Sequence, residues 1–106
     1  MKLTLDEFSE KLPLPASQKW PEGVWFTKAF SKGDLELEFF APRGRDYQTP
    51  HEKDEIYVVV RGEGEFVRGN QKMSFSTGDV LFVEAGVEHH FENFSEDFAT
   101  WIIFFN

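Results

Sequence analysis

Two histidines and one glutamate carry the donor chemistry of this chain: His51 and Glu55, four residues apart, and His89, thirty-eight residues beyond His51. Imidazole nitrogens with one charged oxygen form a set that first-row transition metals bind. The chain has no cysteine, so any metal must be held by His, Asp, Glu or hydroxyl groups. Zinc-finger and redox-dithiol chemistry are thereby excluded. Both stretches are bounded by turn residues, as His51-x3-Glu55-x6-Gly62 and Gly78-x7-Gly86-x2-His89-x3-Asn93. No nucleophilic triad accompanies them, since Ser74, Ser76 and Thr77 have no histidine at a telling position. No glycine-rich loop opens a helix, so nucleotide phosphates have no cradle.

The elements that must position these groups are mostly extended. Gly, Asn, Asp and Pro punctuate the chain every 8–12 residues or so from Val24 onward, with runs rich in Val, Ile, Phe and Tyr between them. Strands are expected over Val24–Phe30, Leu35–Ala41, Glu55–Val60, Gly64–Arg68, Lys72–Ser76, Val80–Val83, His89–Asn93 and Phe98–Phe105. Short strands joined by tight turns predict an antiparallel sandwich or barrel. One short helix precedes them, with Thr4 as N-cap, Glu7 closing a capping box, and Leu3 and Phe8 placed as a hydrophobic staple. Leu5, Phe8 and Leu12 share its apolar face, and Pro13 and Pro15 stop it. The expected organisation is a helix and arm over residues 1–22, packed on a barrel of residues 23–106.

Strand parity selects among the candidate ligands, because side chains alternate faces with period two. On a regular strand Thr49, His51, Lys53, Glu55 and Tyr57 face one way. In the second stretch His89, Phe91 and Asn93 share a face, and His90 points opposite. A carboxylate among apolar strand residues must be paired, protonated or metal-bound, because burying its isolated charge costs far too much. Tyr57 and Phe91, each two residues beyond a proposed ligand, are expected to line the cavity and to serve as substrate-binding residues. Lys53 either meets an anionic group at the mouth or is solvated. Most of the 13 phenylalanines must fill the core; the facing of Phe39, Phe40 and Trp101 stays open.

The two spaced stretches resemble the paired motifs of the cupin superfamily, G-x5-H-x-H-x3,4-E-x6-G and G-x5-P-x-G-x2-H-x3-N. His51, Glu55 and Gly62 match the first, and Gly78, Gly86, His89 and Asn93 match the second in register. The resemblance implies an all-β antiparallel jelly-roll (double-stranded β-helix) barrel with a metal in its interior, held by His51, Glu55 and His89. Thr49 stands where the family has its first motif histidine, Gly44 falls one residue late, and Glu84 replaces the family proline. The usual set of three histidines and one glutamate is therefore reduced to two and one, the facial arrangement that leaves positions open for oxygen and substrate on non-haem iron. Thr49 either offers a weak hydroxyl ligand or leaves its place to water.

Composition limits the remaining options. A length of 106 residues supports one core. The net charge of −8, without a basic run, argues against nucleic acid and anionic membrane surfaces. No apolar run approaches the ~18 residues of a spanning helix. A cytoplasmic location is the default, because acids stand where a secretory signal has its apolar block. The resulting expectation is a stand-alone cupin that binds one divalent ion (Fe, Mn, Ni or Zn) and acts on a small organic molecule as an oxygenase-type enzyme, with a non-catalytic binding or sensor protein as the alternative. A homodimer is expected, cupins commonly pairing through their sheets.

Overall fold

A computed structural model describes residues 1–106. One helix, α1 (Leu5–Ser9), precedes eight strands: β1 (Phe26–Lys32), β2 (Leu35–Phe40), β3 (Asp54–Arg61), β4 (Glu63–Arg68), β5 (Gln71–Ser76), β6 (Val80–Val83), β7 (His89–Glu92) and β8 (Ala99–Phe105). Each expected strand is present, with ends displaced by at most two residues. All pairings are antiparallel, in a five-stranded sheet of order β1-β2-β8-β3-β6 and a three-stranded sheet β5-β4-β7. The two face each other as a jelly roll that does not close into a continuous cylinder.

Alternation along the strands builds the interior. Phe40 on β2, Tyr57 and Val59 on β3, Phe66 on β4, Phe75 on β5, Leu81 and Val83 on β6, Phe91 on β7, and Ile102 and Phe104 on β8 are buried in one cluster. Phe91 lies at its centre, with ring centroids 4.8 Å from those of Phe66 and Phe98 and 5.3 Å from that of Phe75. Burial of each such ring contributes about 2–3 kcal/mol, so this aromatic block consolidates the interior.

The opposite parity places Phe39 and Ala99 on the outside of the large sheet, where Phe8 covers them with support from Leu3, Leu5 and Trp101. Here α1 is fixed by the expected capping box, with Thr4 Oγ1 accepting from Glu7 N–H and Glu7 Oε1 accepting from Thr4 N–H. The helix ends at Ser9, earlier than the prolines require, and a turn carries the chain to Pro13. From there an arm crosses the open end of the sandwich. It is tied down by reciprocal backbone hydrogen bonds between Leu14 and Val24, and it buries Trp20 against Phe26, Phe40 and Tyr47. No helix is long and apolar enough to cross a membrane.

Candidate metal centre

Glu55 points inward from β3, an interior strand held by ladders to β6 and β8, so its position is fixed on both sides. His89 opens β7 on the other sheet, opposite Arg68, and faces Glu55 across the interior. His51 lies in the loop before β3, beyond the range of strand parity. Its carbonyl accepts the Gly86 N–H at 2.8 Å, and Asp54 Oδ1 accepts the Ala85 N–H at 2.9 Å. Gly86 has φ +80°, a backbone region that disfavours side chains. The glycine turn of the second stretch thus holds the histidine of the first.

These contacts bring the three predicted ligands together, their donor atoms lying within 4.8 Å of one another. Glu55 Oε2 is 3.1 Å from His51 Nδ1 and 3.1 Å from His89 Nε2. The His89 Nδ1–H donates to the Val87 carbonyl at 2.8 Å, so in the neutral imidazole Nε2 presents its lone pair to the site. That nitrogen is buried, lies off the direction of a hydrogen bond to Glu55, and has no hydrogen-bond partner. A lone pair held 3.1 Å from a carboxylate oxygen is repelled unless a proton or a metal ion lies between them. Metal–ligand bonds of about 2.0–2.2 Å place neighbouring donors about 3 Å apart, and ligating histidines commonly donate their second N–H to a carbonyl. Residues His51, Glu55 and His89 therefore fit a divalent transition ion.

Three further residues set the glutamate. The phenol of Tyr57 donates toward Glu55 Oε1 at 2.9 Å, with Gln48 Oε1 at 3.1 Å as its other acceptor. Gln48 Nε2 in turn donates to Asp46 Oδ2 at 2.6 Å, and the same oxygen receives the Phe91 N–H at 2.9 Å. One carboxylate oxygen of Glu55 is thus engaged by the phenol and the other is left to the histidines. Burial pushes the Glu55 carboxyl up, but His51 and His89 beside it outweigh burial and hold it at about 2. Burial lowers the His89 imidazole, and the Glu55 carboxylate with the Val87 carbonyl lifts it above its ordinary value. For Tyr57, burial and then the Glu55 charge drive the phenol well up, so it remains a proton donor.

Access to the centre is one-sided. The side chains of Glu55 and His89 are 1% and 0% exposed, whereas that of His51 is 39% exposed. His51 borders a cavity of about 90 Å³ whose apolar walls are Trp20, Phe26, Phe40, Ile102 and Phe104 and whose polar groups are Lys19, Glu38 and Gln48. A larger polar groove of about 580 Å³ runs past Asp46, Thr49 and β7. His89 borders this groove without exposing its side chain, and the small cavity reaches His51. Burial, then the hydrogen bond and charge of Glu36, raise the Glu38 carboxyl to about 7.

The remaining sequence candidates are distributed as follows. His90 faces outward and bonds Glu92 at 3.1 Å, as parity required. Thr49, at the family's first histidine position, accepts from Lys19 Nζ at 3.0 Å. Lys53 donates to the Asp34 carbonyl, and Glu84, at the proline position, pairs with Arg68. Tyr57 and Phe91 are buried in the core beneath the donors. Asp46, Gln48, Glu38 and Trp20 were not singled out from sequence. For Glu38 a signal existed, a carboxylate at even spacing from the inward Phe40. For Gln48 and Asp46, which lie in an irregular loop, there was none.

Residues 36–105 match the cupin domain family. The chain belongs to the cupin family. A relative from Streptomyces coelicolor, an uncharacterized protein, is 39% identical over 59 residues, and the match covers 56% of each chain. This cupin thus spans about half the length of that curated relative. Among solved structures, a cupin 2 conserved barrel domain protein of Salinispora arenicola superposes with TM-score 0.65 at 18% identity, over 76% of this chain and 74% of the other. A cupin 2 protein of Leptotrichia buccalis gives 0.67 at 18%, over 76% and 40%. A predicted oxalate decarboxylase of Thermotoga maritima gives 0.53 at 24%, over 67% and 64%. These likenesses establish the shared cupin fold.

Proposed function

We propose that this cupin holds one divalent transition ion through His51, Glu55 and His89 and acts on a small organic molecule, as an oxygenase-type enzyme. The buried Nε2 of His89, 3.1 Å from Glu55 Oε2 and without a hydrogen-bond partner, carries this reading. A bound ion would supply a Lewis acid with open positions for small molecules. The chain's residues do the rest. Glu55 stays ionised, Tyr57 fixes its second oxygen, and Phe91 with Tyr57 backs the site. Apolar walls flank His51, and the Glu38 carboxyl at the cavity is placed to exchange a proton with a bound molecule.

The small volume of the cavity favours a second reading, a binding or sensor protein that holds a ligand without turnover. Metal-loaded protein incubated under air with carboxylates, phenols and diketones separates the two. Oxygen uptake with product supports the enzyme, and stable complexes without uptake support the sensor.

A homodimer belongs to the same proposal. The outer face of the large sheet carries a row of Leu37, Ile103, Ile56 and Phe82 in cross-strand register, with Phe82 and Val80 exposed. Light scattering at micromolar concentration should give twice the chain mass; the monomer mass would remove this part.

A further inference from the structure

The arm before β1 does more than cover the core. Trp20 is buried, and its ring forms edge-on contacts with Phe26, Phe40 and Tyr47, so it roofs the cavity beside His51. The roof is fastened around its rim: Lys19 Nζ donates to Thr49 Oγ1 at 3.0 Å, Tyr47 donates to Glu22 at 2.6 Å, and Ser17 Oγ accepts the Trp20 N–H at 3.1 Å. Both Lys19 and Trp20 precede residue 36, where the family match begins. This closure is a property of the chain itself.

Volume and charge together define what fits beneath it. The cavity is small, about 90 Å³, so a compact molecule fits it better than one that carries a ring. Lys28 pairs with Glu36 at 2.9 Å and leaves the electrostatic balance to the other groups. With a divalent ion on His51, Glu55 and His89, the positive charges of the ion and Lys19 exceed the negative charges of Glu55 and Glu38. A bound ion is the largest local charge in such a site. The cavity is then cationic and walled in large part by hydrocarbon.

We propose that Lys19 and Trp20 are specificity-determining residues that restrict the metal cavity to compact carboxylates, Lys19 through its ammonium and Trp20 through the height of the roof. This rests on the metal reading above, because the ion supplies most of the positive charge. A carboxylate placed between His51 and Lys19 satisfies both cations, while Trp20 excludes an aromatic acid.

Calorimetric titration of the metal-loaded full chain with acetate, acetamide and benzoate tests the assignment, with elemental analysis of every sample. Wild type should bind acetate at least tenfold more tightly than either other probe. Lys19→Met should erase the preference for acetate over acetamide with metal content unchanged. Trp20→Phe, which preserves an aromatic core contact, should narrow the gap between acetate and benzoate. Absence of acetate binding in wild type, or the same preference in Lys19→Met, overturns the inference while leaving the metal reading intact. Wild type that takes up no metal overturns that reading, and this inference with it.

Discussion

Replacing Glu38 by glutamine should make the metal-free protein more stable at pH 8 and leave it nearly unchanged at pH 4.5. Burial, reinforced by Glu36, raises the carboxyl from 4.5 to about 7. A folded-state value above the unfolded one means that the native protein binds more protons across that interval. Stability therefore declines as pH rises from about 4.5 through about 7. At about 1.4 kcal/mol per pH unit the full effect is about 3 kcal/mol, and sharing of the proton with Glu36 brings it to about 2 kcal/mol. Glutamine keeps the shape and hydrogen bonding of the protonated acid without a charge to bury. Urea unfolding in the presence of chelator, at half-unit steps from pH 4.5 to 8.5, provides the assay. Chelator is required because an ion on His51 would pull the carboxyl down. His89 and Asp46 also lose stabilising or gain destabilising charge states as pH rises, so the decisive quantity is the difference between the two proteins. Parallel profiles for wild type and Glu38→Gln would refute the reasoning.

Tyr57→Phe should keep the core packed while leaving Glu55 Oε1 without its donor, weakening metal affinity about 10–100-fold; competition against a chromogenic chelator reads this directly, and unchanged affinity would show that the phenol does not position the carboxylate. Gly62 has φ +92°, and a Cβ there would meet Ser95 Oγ at 2.6 Å and Phe98 Cα at 2.7 Å. Gly62→Ala should therefore cost about 3 kcal/mol or more. Gly69→Ala, at φ +60° with open space around it, should cost only about 1 kcal/mol; equal losses in denaturant melts would contradict the steric account.

Much of the fold was legible because turn residues separate short runs that alternate on each strand. Thr4 and Glu7 announced the helix start, and the capping geometry is present. Proline gives only a limit for its end, and the chain leaves the helix after Ser9 although Leu12 still packs on the Phe8 cluster. The order of strands was not legible, since nothing local states that β8 runs between β2 and β3. In the site, register singled out His89 over His90, which local charge alone would not have done. His51 reached the same place by a different route from the one parity suggested, through the Gly86 hydrogen bond to its carbonyl. Phe39 and Phe40 show the limit of pattern reading: adjacent phenylalanines face opposite sides, one under α1 and one under Trp20, and only packing decides which. The roof over the cavity depends on contacts between an irregular arm and a loop, for which sequence carries no periodic signal.

The central claim is that His51, Glu55 and His89 hold one ion inside the jelly roll. Untagged protein, stripped with chelator and dialysed against a divalent transition metal, should regain close to one ion per chain by elemental analysis, with a raised melting temperature. His89→Ala and His51→Ala should each fail to retain it. Equal metal content in wild type and both variants would contradict the account.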